Sequence, residues 1–154
     1  MGCLGENNAP SAAGRVVVTV AVLVFVVEDE PLIQDMLQAP LKDGGYEVAT
    51  AASGEEAVSM LEKQGSTFQA LITDVNLGRD KLSGWDVAKR ARELNPSVAV
   101  IYMTGDSGHD WAANGVPNSV LLLKPFAPAQ VVTAVSQLLN APAANVPATD
   151  PQGG

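Results

Sequence analysis

The chain has 154 residues, 47% of them apolar and 17% charged, with a formal net charge of −8. That length fits one domain with modest tails, and that apolar share supports a core, which excludes wholesale disorder. The acidic balance argues against a nucleic-acid reader, which needs a basic face. The single cysteine, Cys3, excludes an internal disulfide framework and the usual zinc sites.

Residues 1–19 read as a flexible tail leading into the first strand, residues 20–140 as the folded domain, and residues 141–154, rich in Ala and Pro, as a disordered tail. The apolar run 16–27 is too short for a membrane span, which takes about 20 residues. It is followed by Glu28-Asp29-Glu30 where a signal peptide would need small residues. Its β-branched content points to a buried strand over 23–27. A helix is expected over 31–42, with Pro31 suited to its first turn and Asp43-Gly44-Gly45 ending it. A strand over 46–51 follows, then a helix over 53–64 opened by the capping-box pair Ser53 and Glu56. Next come a strand over 68–73 and a helix over 85–94 closed by Asn95-Pro96. A strand over 98–103, a short weak helix near 107–113, a strand over 120–123 and a helix over 128–139 complete the series. This alternation predicts an α/β fold with a five-stranded parallel sheet covered by helices on both faces.

In open sheets of this kind ligands bind beyond the carboxyl ends of the strands. The residues there are Glu28 and Asp29 after the first strand, Asp74 after the third, Thr104 after the fourth and Lys124 after the fifth. Clustered carboxylates repel, and a hard divalent cation such as Mg²⁺ relieves that repulsion with oxygen ligands. A carboxylate is also a nucleophile toward phosphorus. Phosphoryl transfer then needs neutralisation of the equatorial oxygens, which a cation, an ammonium and a hydroxyl supply.

This set resembles the receiver domain of two-component response regulators, of the single-domain, chemotaxis-receiver-like type. The resemblance covers about residues 20–140 and rests on Glu28-Asp29, Asp74, Thr104-Gly105 and Lys124-Pro125-Phe126. It implies a flavodoxin-like (βα)5 fold with strand order 2-1-3-4-5. It further implies that Asp74 is the phospho-acceptor and that Mg²⁺ is held by Asp29, Asp74 and the backbone carbonyl of Asn76, with Glu28 contributing through a water. Thr104 would be the switch hydroxyl, Lys124 the partner of the phosphoryl group, Gly105 a space for that group, and the Lys124–Pro125 peptide cis. The expected protein is a stand-alone cytoplasmic signalling domain that assists its own phosphorylation and dephosphorylation but is not an enzyme with a turnover substrate. Its donor would be a sensor histidine kinase or a histidine phosphotransfer protein. Its output would be a downstream protein, with no nucleic acid and no membrane, from a monomer or weak dimer.

The sequence departs from the family pattern in two places. Gly78 stands where a proline is usual in the loop after the acceptor, and Gly84 arrives two residues late. Leu121 occupies a position three before Lys124 that is often Tyr or Phe, so coupling to Thr104 would have to run elsewhere, through Tyr102 or Trp111. These departures motivate an alternative, a receiver-like module that binds partners without phosphorylation. A third reading, an aspartyl-phosphate hydrolase, lacks the second aspartate such enzymes often carry, since Asn76 is there instead. Blander roles are open to single residues: Asp29 as a helix cap, His109 as a surface residue, Trp85 and Trp111 as packing residues, and Arg79, Lys81, Lys89, Arg90 and Arg92 as a solvated face.

Overall fold

The computed structural model describes residues 21–77, 82–106 and 108–140. The expected tails lie largely or wholly outside these residues, as do Gly78, Arg79, Lys81 and Ser107. Strand β1, Val22–Val27, is a run of branched and aromatic residues whose last four are fully buried. Such a run has no polar face, so it suits a central strand covered on both sides. Helix α1, Pro31–Asp43, starts with Pro31, whose missing N–H costs nothing in the first turn. Its N-cap is Glu30, without a side-chain cap, so Asp29 does not cap this helix. At the other end the N–H of Gly44 donates to Pro40 and Leu41, and Gly45 turns the chain at φ 97°.

Strand β2, Tyr46–Ala51, leads to helix α2, Gly54–Gln64. The hydroxyl of Ser53 accepts the N–H of Glu56 at 3.0 Å. The Glu56 carboxylate reaches back one residue further than a reciprocal box requires, to the N–H of Ala52 at 2.8 Å. A 3-10 turn, Gly65–Thr67, joins strand β3, Phe68–Asp74. Helix α3, Gly84–Leu94, opens with a complete capping box between Ser83 and Asp86. Strand β4, Ala99–Thr104, is buried throughout. The weak helix expected near 107–113 is a 3-10 turn, Gly108–Asp110, followed by a single helical turn α4, Trp111–Asn114. Strand β5, Ser119–Leu123, and helix α5, Pro128–Asn140, complete the fold.

All four strand pairings are parallel, in the order β2-β1-β3-β4-β5. Numbered along the chain this is 2-1-3-4-5, as expected. Alternation along the strands splits the core in two. Val24, Val26, Ala70, Ile72, Ile101 and Met103 face α1 and α5. Phe25, Val27, Leu71, Val100 and Tyr102 face α2 and α3, with Trp111 packed at the margin. The rings of Phe25 and Phe68 stack with centroids 4.5 Å apart. Burying a side chain of this size contributes about 1.5–3 kcal/mol, so the two layers fix the strand register and hence what stands at each strand end.

The basic residues of α3 are not one solvated face. Lys89 is exposed, and Arg90 pairs with Glu62 and Glu93 at the surface. Arg92, half-buried, donates to the carbonyls of Val98, Pro117 and Asn118. Its guanidinium thus ties α3 to the starts of β4 and β5. A planar fork of donors fits three carbonyls where an ammonium would not. Trp85 and Trp111 pack against the core, and His109 is exposed beside Asp110, as expected of surface and packing residues. No helix among the described residues is long and apolar enough to cross a membrane.

Candidate phosphoryl-acceptor site

The sheet ladder continues one step past β1, β3 and β5. Glu28 donates its N–H to Ala51, Val75 to Met103 and Lys124 to Thr104, at 2.8–3.0 Å. These bonds bring the residues after β1, β3, β4 and β5 to one rim. Glu28 is fully buried and Asp74 nearly so, while Asp29 is the more open of the three carboxylates. One oxygen from each lies within 4.8 Å of the others. An all-oxygen set of three carboxylates suits a hard divalent cation rather than a soft one.

Lys124 bridges the two buried carboxylates. Its Nζ lies 3.3 Å from Oδ2 of Asp74 and 3.4 Å from Oε1 of Glu28. Glu28 also accepts the N–H of Glu30 on Oε2 at 3.2 Å. Burial, then the charge of Asp74 and a hydrogen bond with Asp29, push the Glu28 carboxyl up to about 7, against the pull of Lys124. Burial also raises Asp74, although Lys124 and the N–H of Asn76 favour its charged form. Burial alone would lower Lys124, but Asp74 and Glu28 more than offset this and raise it. One ammonium therefore faces more negative charge than it can neutralise, which is the electrostatic condition for binding a cation.

Thr104 is fully buried at the end of β4, and its Oγ accepts the N–H of Asp106 at 3.3 Å. Space beside Gly105 is open: nothing lies within 4 Å of where its Cβ would sit. The Lys124–Pro125 peptide is cis, as expected. At Gly84 the backbone passes so close to Asp74 that a Cβ would overlap the Asp74 carbonyl, and its N–H donates to Val75 at 2.8 Å.

Two contacts of the site were not foreseen. The Gln34 amide donates to the carbonyls of Glu28 and Ala51, pinning α1 under the acidic turn. The Asn76 amide donates to Asp106 Oδ1 at 3.2 Å. Tyr102 sits inside the core, its ring 4.6 Å from that of Trp85 and its hydroxyl accepting the N–H of Val116 at 3.1 Å. Trp111 donates to Ser119, whose hydroxyl donates to the Val116 carbonyl. Half-buried Leu121 packs against the same cluster, so the aromatic of this region is internal.

Residues 24–136 match the model of the response regulator receiver domain. The alginate biosynthesis transcriptional regulatory protein AlgB of Pseudomonas aeruginosa is 32% identical over 119 residues, which are 76% of this chain but 26% of AlgB. The chain thus spans about a quarter of that relative. The crystal structure of a response regulator receiver protein from Sinorhizobium medicae is 39% identical with a TM-score of 0.75, covering 79% of this chain and 96% of that one. The receiver domain of sensor histidine kinase PA1611 from Pseudomonas aeruginosa is 25% identical with a TM-score of 0.66, covering 79% of this chain and all of that one, and it coordinates a magnesium ion in its active-site cleft. With its five-stranded sheet in the order 2-1-3-4-5 and its acidic rim, this chain belongs to the response regulator receiver domain family of two-component signalling.

Proposed function

We propose that Asp74 accepts a phosphoryl group from a phosphohistidine on a sensor histidine kinase or a histidine phosphotransfer protein. The observation that carries this reading is Lys124, held within 3.4 Å of both Glu28 and Asp74 at the carboxyl rim of the sheet. An Asp74 oxygen attacks phosphorus, the bond between phosphorus and the donor imidazole nitrogen breaks, and the imidazole leaves with the bonding pair and takes up a proton. Asp29, Asp74 and the Asn76 carbonyl would hold Mg²⁺, with Glu28 acting through a water. Bound there, Mg²⁺ neutralises charge on the phosphoryl oxygens. Lys124 stabilises a second oxygen, and the Thr104 hydroxyl turns toward a third. The new charge shifts an equilibrium between two arrangements of the β4–α4 region, which a downstream protein reads in the cytoplasm.

The test is intact mass after incubation with acetyl phosphate, with and without Mg²⁺, alongside Asp74→Asn. One added phosphoryl group that requires both Mg²⁺ and Asp74 is the expected result. Labelling that persists in Asp74→Asn would overturn the assignment. No labelling under any condition would favour the phosphorylation-independent module.

A further inference from the structure

The acidic turn is held at its start by the sheet and at its end by one side chain. The N–H of Glu28 donates to the Ala51 carbonyl at 3.0 Å, the last step in the pairing of β1 with β2. Helix α1 then begins at Pro31 with no side-chain cap. Its opening residues Pro31 and Leu32 are exposed, Ile33 is half-buried, and its first buried residue is Leu37. Core packing therefore grips the helix about two turns beyond the acids. Gln34 fills that gap. Its side-chain amide donates to the Glu28 carbonyl at 2.6 Å and to the Ala51 carbonyl at 3.3 Å. Its backbone N–H donates to the Glu30 carbonyl at 3.1 Å. A primary amide carries two diverging N–H bonds, so one side chain ties the turn 28–30 to the end of β2.

We propose that Gln34 is a positioning residue that holds the Glu28–Glu30 turn in a shape selective for Mg²⁺ over Ca²⁺. The inference rests on the reading that Asp29 and Asp74 hold the cation, with Glu28 acting through a water. Glu28 is fully buried and Asp74 ends a central strand, so Asp29 is the acid with most room to move. The Glu28 carbonyl belongs to the planar peptide that joins Glu28 to Asp29, and fixing that plane fixes where the Asp29 side chain starts. Mg²⁺ demands near-ideal geometry and short bonds, whereas Ca²⁺ accepts longer bonds and irregular shells. A turn that cannot spread therefore favours the smaller ion. Contacts that support metal ligands are typically worth about 10–100-fold in affinity. Gln34 acts through a main-chain carbonyl, one step further back, and belongs at the low end of that range.

The experiment titrates wild type, Gln34→Met, Gln34→Asn and Arg92→Ala with Mg²⁺ alone and with Ca²⁺ alone by calorimetry, and records melting temperatures in EDTA. Methionine keeps the length and helix propensity of glutamine but has no donor. Asparagine keeps the amide but is one methylene short. Arg92→Ala loosens the fold far from the rim. The expected result is Mg²⁺ affinity about tenfold weaker in both Gln34 variants, a clearly smaller loss for Ca²⁺, and neither affinity altered in Arg92→Ala. In labelling by acetyl phosphate, the Mg²⁺ concentration for half-maximal rate should rise by the same factor, while the rate at saturating Mg²⁺ stays at the wild-type value. Unchanged Mg²⁺ affinity in folded Gln34 variants would overturn the proposal, as would equal losses for the two cations or a matching loss in Arg92→Ala. A wild type that binds Mg²⁺ but is never labelled would remove the acceptor reading of Asp74 and leave the role of Gln34 standing. A wild type that binds no Mg²⁺ would overturn both.

Discussion

Lys124 Nζ sits 3.3 Å from the Asp74 carboxylate, although the two residues come from strands separated in the sheet by β4. The same ammonium reaches Glu28, which is fully buried. Lys124→Met would leave two buried carboxylates without their cation. Because the Lys124 side chain is 26% exposed, solvent softens the loss, and about 1–3 kcal/mol at neutral pH is expected. Thermal melts in EDTA should show the loss, and saturating Mg²⁺ should recover most of it. A variant as stable as the wild type in EDTA would contradict the pairing.

Stability without metal should depend on pH in an unusual sense. Folded Glu28 keeps its proton up to about pH 7, whereas its ordinary value is 4.5. Between those values the folded state binds more protons than the unfolded chain, so stability falls as pH rises. The contribution is complete below about 4.5 and is lost as pH passes about 7; at roughly 1.4 kcal/mol per pH unit it amounts to about 3.5 kcal/mol at most. The raised Asp74 acts in the same direction. Melting temperature in EDTA should therefore climb as pH drops from about 8 to about 5.5. Glu28→Gln should flatten the climb, and Mg²⁺ should oppose it by favouring the ionised carboxylates. A metal-free protein whose stability rises with pH across this window would refute the account.

Gly84 should tolerate no side chain. A Cβ there would overlap the Asp74 carbonyl, and the relief would have to come from backbone on both sides. Gly84→Ala is expected to cost about 2–3 kcal/mol, in the range of overpacked cores. It should also weaken Mg²⁺ binding by displacing Asp74. Urea unfolding and a Mg²⁺ titration would show the two effects together. A stability loss with unaltered Mg²⁺ affinity would mean that the loop yields instead of Asp74.

Arg92 provides a contrast far from the acidic rim. Arg92→Ala strips a guanidinium from the carbonyls of Val98, Pro117 and Asn118, and a loss of about 1–3 kcal/mol is expected. Mg²⁺ affinity should stay as it is. Arg92→Lys should recover little, because an ammonium cannot span three carbonyls. Full recovery by lysine would mean that charge alone, and not the fork, holds the strand starts.

The sheet was legible because its signals are local. The branched residues of 22–27 and the buried run 99–104 are recognisable from a few neighbours, and the capping residue Ser53 marks where a helix begins. The strand-end set was legible because a parallel sheet brings successive strand ends together whatever lies between them. What escaped depends on contacts distant in sequence or on exact backbone paths. The partner of Asn76 is Asp106, thirty residues away, and nothing in either residue announces the other. Arg92 resembled the other bases of its helix until Pro117 and Asn118 were seen beside it. Asp29, which has the chemistry of a cap, lies one residue too early because the helix begins at Pro31.

The bond from the N–H of Gly84 to the carbonyl of Val75 closes the loop after Asp74 at its base. A few extra residues in an already closed loop cost only a few tenths of a kcal/mol. The two residues by which this loop exceeds the usual spacing can therefore be accommodated without moving Asp74. Loop length is in this way uncoupled from the placement of Asp74, which the clasp and the sheet hold from behind.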